Sequence, residues 1–291
     1  MANSAPDTLR VTLLGTGGPP PILDRFGPCT LVEAGSEKFL FDAGRGALQR
    51  LFQLKIRFSE ITGLFLTHLH SDHVVGIPDL WLTGWINQAW GGRQVPLPVW
   101  GPLGTKEMMF HLEKAYQFDI RIRTHYPKEG VRVIAEEFTG GVVYEKNGLK
   151  IQAFLVDHGR IKPAYGFRID FAGKSVVLSG DTRFNENVIG FSQGVDLLVH
   201  EVVGMTDEFL QKSEFGKTIA SNHTTPQDAG EVFRRANPKL AIYTHILRFG
   251  DYPVEDLIPS TRTIYSGPLE VGEDLMAIDV GENAEVRRFM P

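Results

Sequence analysis

Cysteine is almost missing from this chain: Cys29 is the single thiol among 291 residues. One thiol excludes an internal disulfide and any cysteine-rich zinc finger, so a metal site here has to be built from nitrogen and oxygen. A basic excess is missing as well. Lys and Arg number 30 against 35 Asp and Glu, a net charge of −5, and the pI is near 6.0. Such a chain offers none of the positive field that dominates nucleic-acid affinity. Arg121/Arg123, Arg234/Arg235 and Arg287/Arg288 are the local basic candidates, and each reads as a solvated face. A nucleic-acid partner is therefore not expected. No apolar run reaches the length of a membrane span, and the first residues lack the basic and apolar blocks of a signal peptide. The expectation is a cytoplasmic protein with no membrane partner, or a secreted or periplasmic one if a leader has been removed. Low-complexity segments and short repeats are absent too.

What the chain has is apolar mass and histidine in the right places. With 42% hydrophobic residues over 291 positions it can bury a large core, as one big α/β domain or two packed halves. The run Gly63–Thr67 leads directly into His68-Leu69-His70-Ser71-Asp72-His73. Neutral imidazole and carboxylate are the side chains that bind zinc and its neighbours in the first transition row. Other short β-like runs end in the same manner. Lys38–Phe41 stops at Asp42, Lys150–Val156 at Asp157-His158, and Lys174–Leu178 at Ser179-Gly180-Asp181. Val195–Val199 stops at His200-Glu201, and Leu240–Thr244 at His245.

Rigid strands that deliver a His or Asp where they stop are how α/β proteins build a site at one crevice. Helical patterns cover Ala47–Leu54, Asp79–Gln88, Gly104–Phe118 and Pro226–Ala236, the last with Thr225 as N-cap and Pro226 at its first position. Strand runs in both halves with helices between them suggest two sheet-containing layers covered by helices.

His68 and His70, two apart on an extended segment, project to the same side and can hold one ion. Asp72 and His73, after the turn, can hold a second. Each ion then needs a further imidazole and the pair a bridging carboxylate, for which His158, Asp181 and His245 are candidates; each taken alone also reads as a loop or strand-end residue. Asp42 reads either as a strand-end turn residue or as the group that orients a ligand imidazole. His111 and His125 fall outside the pattern.

At these residues the chain resembles the metallo-β-lactamase fold, in the branch of ribonuclease Z and the related arylsulfatases and phosphodiesterases. The likeness spans nearly the whole chain, through Leu14-Gly15-Thr16-Gly17, Phe41-Asp42-Ala43-Gly44, Thr67 to His73, Gly101-Pro102, Ala164 to Arg168, Ser179 to Thr182, His200-Glu201, His223-Thr224 and Thr244-His245. True β-lactamases carry a zinc-binding Cys that this chain does not offer. The resemblance implies a single domain over residues 1–291, a four-layer αββα sandwich of two mixed sheets flanked by helices. It also implies two Zn2+, with Mn2+ or Fe tolerated by the same ligands. His68, His70 and His158 would hold one ion and Asp72, His73 and His245 the other, with Asp181 bridging.

Two such ions can lower the pKa of a bridging water toward ~7 and give hydroxide at neutral pH. Asp72 would accept a proton in the attack, and His223, paired with Glu201, would protonate the leaving group. By the resemblance, that His goes with phosphate or sulfate ester cleavage rather than lactam hydrolysis. Long-arm ribonucleases Z clasp tRNA with an insertion between their Tyr-Gly-Phe and Gly-Asp-Thr segments. Here only Phe167 to Ser179 separate Gly166 from Gly180, enough for a hairpin and no arm. Pro78 to Trp85 and the Gly101–Thr105 loop look most like arylsulfatase-type members. Trp81 and Trp85, at helical spacing, read as core, or as a rim for an aryl leaving group if one faces the crevice.

The expected function is thus a dinuclear zinc hydrolase of small phosphodiesters or aryl sulfates, working on a small-molecule ester. The alternative is a tRNA 3′-end endonuclease. Lactonase or β-lactamase activity is a weaker option, and a non-catalytic or iron-based oxygen-chemistry relative belongs to another class. Relatives in this branch are commonly homodimers.

Overall fold

The computed structural model describes residues 7–86, 89–281 and 284–289. The strands divide along the chain into two sheets. In order come β1 (Leu9–Gly15), β2 (Cys29–Ala34), β3 (Glu37–Phe41), β4 (Gly63–Phe65), β5 (Leu97–Gly101) and β6 (Val133–Glu137). There follow β7 (Gly141–Lys146), β8 (Leu149–His158), β9 (Ile161–Phe171), β10 (Lys174–Leu178), β11 (Leu197–Met205), β12 (Leu240–Phe249) and β13 (Leu269–Val271). The last two, β14 (Met276–Val280) and β15 (Glu285–Arg287), return to the first sheet. One sheet has eight strands in the order β15-β14-β1-β2-β3-β4-β5-β6, the other seven in the order β13-β12-β11-β10-β9-β8-β7. Both are mixed. Pairing is antiparallel from β15 to β3 and parallel from β3 to β6. In the second sheet it is antiparallel from β7 to β10 and parallel from β10 to β13.

Side-chain alternation assigns the layers. Phe39 and Phe41 point inward to meet Phe167, Ile169, Val176 and Leu197 of the facing sheet, in one core between the two sheets. Leu40, alternate to them, turns outward with Leu64 and Leu66 onto Leu48, Leu51, Leu80 and Trp81. On the far side Val177 and Leu198 pack on Val188, Ala229, Val232 and Phe233. Burial on both faces is why these strands read as unbroken apolar runs rather than alternating ones. The result is the expected helix–sheet–sheet–helix sandwich, α/β in class.

The helices on the first face are α1 (Ala47–Gln53), α2 (Ser71–Val74), α3 (Ile77–Ile86), α4 (Thr105–Ala115), α5 (Gln117–Ile122) and α6 (Lys128–Val131). On the second side lie α7 (Glu186–Phe191), α8 (Asp207–Lys212), α9 (Glu214–Ala220), α10 (Pro226–Ala236) and α11 (Leu257–Arg262). The helix expected over Asp79–Gln88 starts two residues early with Pro78 in its first turn, and Gln88 lies outside the described residues. The single helix expected over Gly104–Phe118 is broken at Tyr116, whose backbone (φ −97°, ψ 8°) leaves the helical range. Helix α10 has its expected bounds: Thr225 Oγ1 accepts from the Asp228 N–H, and Asn237 closes the end in a left-handed conformation. Among the described residues no helix is long and apolar enough to cross a membrane.

Strands β11 and β12 run well past the ends of their apolar runs. Strand β11 continues through His200-Glu201 to Met205, and β12 through His245 to Phe249. The pairing shifts there instead. Glu201 faces Thr244 and Val202 faces Ile246, so His245 is an extra residue on β12, with φ 44°. It sits in a β-bulge, a device that re-aims a side chain without ending the strand.

Candidate metal centre

Strand β4 hands the chain to an extended stretch ending at His70, where α2 begins. Extended backbone puts His68 and His70 on one side, and the first turn of α2 presents Asp72 and His73. Asp42 fixes this loop. Its Oδ1 accepts the Thr67 N–H at 2.8 Å, and its Oδ2 accepts the Thr67 hydroxyl at 2.8 Å and His73 Nδ1 at 2.7 Å. The Thr67 oxygen in turn accepts from His68 Nδ1 at 3.0 Å, and the Asn222 carbonyl from His158 Nδ1 at 3.0 Å. Three imidazoles therefore carry their proton on Nδ1 and present Nε2 as a lone pair. That is the tautomer a metal ligand needs.

Those lone pairs converge. His70 Nδ1 lies 2.9 Å from His68 Nε2 and 3.4 Å from His158 Nε2, three nitrogens facing one point with at most one proton among them. Asp181 Oδ2 stands at the centre of the whole group. It is 3.2 Å from His245 Nε2, 3.3 Å from His73 Nε2, and 3.9 Å from both His68 Nε2 and His158 Nε2. Asp72 Oδ2 is 3.4 Å from His245 Nε2 and 3.6 Å from His73 Nε2. Ligands of a tetrahedral zinc, each about 2.0–2.1 Å from the ion, lie about 3.3–3.4 Å from one another. The spacings from Asp181 to His245 and His73 fit the edges of such polyhedra. His73 Nε2 and His245 Nδ1 are buried without a hydrogen-bond partner. Leaving such groups unmade costs about 1–3 kcal/mol each, and a cation relieves it at His73.

Electrostatics agree. Burial pushes the His68 and His70 pKa values down, keeping both rings neutral. Burial would raise Asp181, but His245 and His73 outweigh it and hold this carboxylate well below its usual range. At His73 burial also opposes charge, yet Asp181 and Asp42 override it and raise the pKa well above the ordinary value. A divalent ion at Nε2 would satisfy Asp181 in place of the proton there, leaving the Nδ1 proton on Asp42.

Gly180 makes the turn that delivers Asp181. It has φ 61°, and a Cβ there would come within 2.4 Å of the Tyr165 carbonyl. At the opening Gly-Thr-Gly-Gly loop, the Thr16 carbonyl accepts the Ile246 N–H at 2.8 Å. Gly18 lies so close that a Cβ would sit 3.1 Å from His245 Cε1. The bulge at His245 is thus supported from the far end of the chain.

All seven residues expected as ligands come together, in the groups His68, His70, His158, Asp181 and Asp72, His73, His245. His223 adjoins them, forming a third group with Asp181 and His245. Its Nδ1 is 3.0 Å from Glu201 Oε1, which also accepts the Thr182 N–H at 2.9 Å. Burial disfavours a proton on His223, but the Glu201 carboxylate, helped by Asp181, raises its pKa to about 9. His111 is exposed and His125 likewise, apart from the site. His200 is buried with Nδ1 on the Glu201 carbonyl at 2.7 Å and its ring against Phe233, a packing role.

Trp81 and Trp85 are core, their indole N–H groups donating to the Val131 carbonyl at 2.6 Å and the Pro127 carbonyl at 2.8 Å. Neither rims the crevice. The rim is something the sequence left unread. A cleft of about 370 Å³ opens beside the ligands, walled by Pro19, Pro20, Phe215, Ile219, Leu247 and Phe249. Asn222, which fixes His158, was also missed, because a backbone carbonyl acceptor has no residue signature.

Residues 37–246 match the family model described as the Beta-lactamase superfamily domain. Ribonuclease Z of Mycobacterium bovis (strain BCG / Pasteur 1173P2) is 35% identical over 276 residues, 94% of this chain and 98% of the relative. Among solved structures, the metallo-beta-lactamase fold protein YhfI from Bacillus subtilis superposes with a TM-score of 0.73 at 20% identity, over 94% of this chain and 100% of that one. The short form of human tRNase Z gives a TM-score of 0.72 at 22% identity, over 94% and 99%. Both structures share the fold.

Proposed function

The chain belongs to the β-lactamase superfamily, as a metal-dependent hydrolase with ribonuclease Z relatives, and from that premise we propose that it is a dinuclear-metal endonuclease that processes the 3′ end of precursor tRNA. The observation that carries this reading is the 35% identity to a ribonuclease Z along 94% of the chain. The expectation of a small phosphodiester or aryl sulfate substrate, with nucleic acid set aside, gives way to its alternative. Its grounds were the missing arm and the acidic charge. The aligned region takes in 98% of the M. bovis relative, so the likeness is not confined to the metal-binding motifs. The conditional reading of Trp81 and Trp85 as a rim for an aryl group also falls away, because both are buried in the core.

His68, His70 and His158 are fitted to hold one ion and Asp72, His73 and His245 the other, with Asp181 between them. Two divalent ions held there, zinc by the nitrogen-rich ligand set, would supply an acidified water and charge neutralisation on the phosphoryl oxygens. The protein's own groups do the rest. Asp72 lines the cleft and accepts the nucleophile's proton. His223 keeps its proton at neutral pH through Glu201 and donates it from Nε2 to the leaving oxygen. Glu201, held by the Thr182 N–H, fixes the tautomer and the ring's direction.

The test is zinc-loaded protein assayed side by side on a precursor tRNA, a bis-aryl phosphate, an aryl sulfate, a lactone and a β-lactam. Cleavage of the precursor at the 3′ end, with His223→Ala lowering kcat about 100-fold or more, is the expected result. An inert precursor beside a rapidly cleaved aryl ester would overturn the nuclease reading in favour of the small-ester one.

A further inference from the structure

One wall of the cleft has no part in the chemistry above. Of the eleven residues lining it, five belong to the metal and acid groups and six are apolar. Phe215 is a large aromatic among the six, 58% exposed at the mouth of the cleft, beside the exposed Pro19 and Pro20. An exposed ring in a functional cleft is more informative than a buried one. It is held in place rather than loose. Phe215 meets Phe249 edge to face, centroids 5.6 Å apart at 80°, and Phe249 stacks on Phe209 at 5.7 Å and 13°.

The two short helices carrying Phe209 and Phe215 are pinned at their starts, and Phe249 ends β12. Thr206 Oγ1 accepts the Phe209 N–H at 3.4 Å, and Ser213 Oγ the Gly216 N–H at 3.0 Å. Gly216 and Gly250 leave the space that Phe209 occupies, since a Cβ at either would come within 2.9 and 2.6 Å of it. The aromatic wall is therefore preformed. An 80° crossing with Phe249 covers at most one face of Phe215.

Resting on the nuclease reading, we propose that Phe215, backed by Phe249 and Phe209, is a stacking platform for the nucleobase next to the scissile phosphodiester. The cleft forces the juxtaposition. A phosphate seated among Asp72, Asp181, His223 and His245 has its neighbouring group against this wall, because both line the same 370 Å³ space. Such a volume suits a ring system. The chemistry of the wall sets its selectivity. Its six residues offer no side-chain donor or acceptor for a base edge, so it recognises a π-face and not a sequence, as single-strand stacking sites do.

The experiment is calorimetric binding to the zinc-loaded protein of adenosine and uridine 5′-monophosphates against ribose 5-phosphate, which presents the same phosphate without a base. Wild-type protein should bind both nucleotides about tenfold or more tighter than the sugar phosphate. Phe215→Ala should bring that ratio close to one, and Phe215→Trp should keep it. Equal affinities in the wild type, or a ratio that survives Phe215→Ala, would overturn the platform. The result is separable from the nuclease test. Base-dependent binding with an inert precursor tRNA sinks the nuclease reading alone, and cleavage without base-dependent binding sinks the platform alone.

Discussion

Asp42 commits both carboxylate oxygens to the metal loop, one to the Thr67 amide and the other to the Thr67 hydroxyl and His73 Nδ1. It never needs to touch an ion to control one. With Asp42→Asn the His73 ring loses the acceptor that fixes its tautomer. Zinc affinity, read by competition with a chelator, should fall about 10- to 100-fold; unchanged affinity would remove Asp42 from the site. At the acid end, Glu201 plays the same part for His223. If His223 is the acid proposed above, its protonated ring is the active form, and its raised pKa has a definite sign: the alkaline loss of activity should come as pH rises through about 9. Glu201→Gln should move this alkaline limb to lower pH as well as slow the reaction. A pH–rate profile whose limb stays put in the variant would show that Glu201 does not hold the proton.

At the scale of elements, the site depends on where strands yield and where helices begin. His245 reaches the cluster through the bulge in β12, with Thr16 bonded to the next amide and Gly18 alongside the ring. His223 stands two residues ahead of the Thr225 cap of α10, whose Ala229, Val232, Phe233 and Ala236 are buried beneath it. Removing the cap hydroxyl with Thr225→Ala should cost about 1 kcal/mol in a urea titration. Loss of the cap also loosens the approach to His223, so kcat should fall more than KM changes. Full stability and full kcat in this variant would mean that the cap neither holds the helix nor positions the acid.

Across the whole molecule, legibility followed burial. Strands covered on both faces show as apolar runs, and a polar residue at the end of such a run is visible, which is how Asp42, His158 and Asp181 stand out in the sequence. Glu201 and His245 were found by the same rule although their strands continue beyond them. The rule located the residues and misplaced them, because a bulge is a matter of register between two strands and leaves no trace in either one. Three-residue strands such as β13 and β15 carry too little periodicity to register at all. The Phe215 wall was hidden for a different reason. Aromatics in short helices look like core, and only the fold shows that this one faces a cleft.

The central claim is that both halves of the sandwich converge on two ions flanking Asp181. Anomalous diffraction at the zinc edge from crystals of the zinc-loaded protein tests it directly. The account predicts two peaks, one among His68, His70 and His158 and one among Asp72, His73 and His245, both lost in Asp181→Ala. A single peak, or a pair that survives loss of the Asp181 carboxylate unchanged, would contradict it.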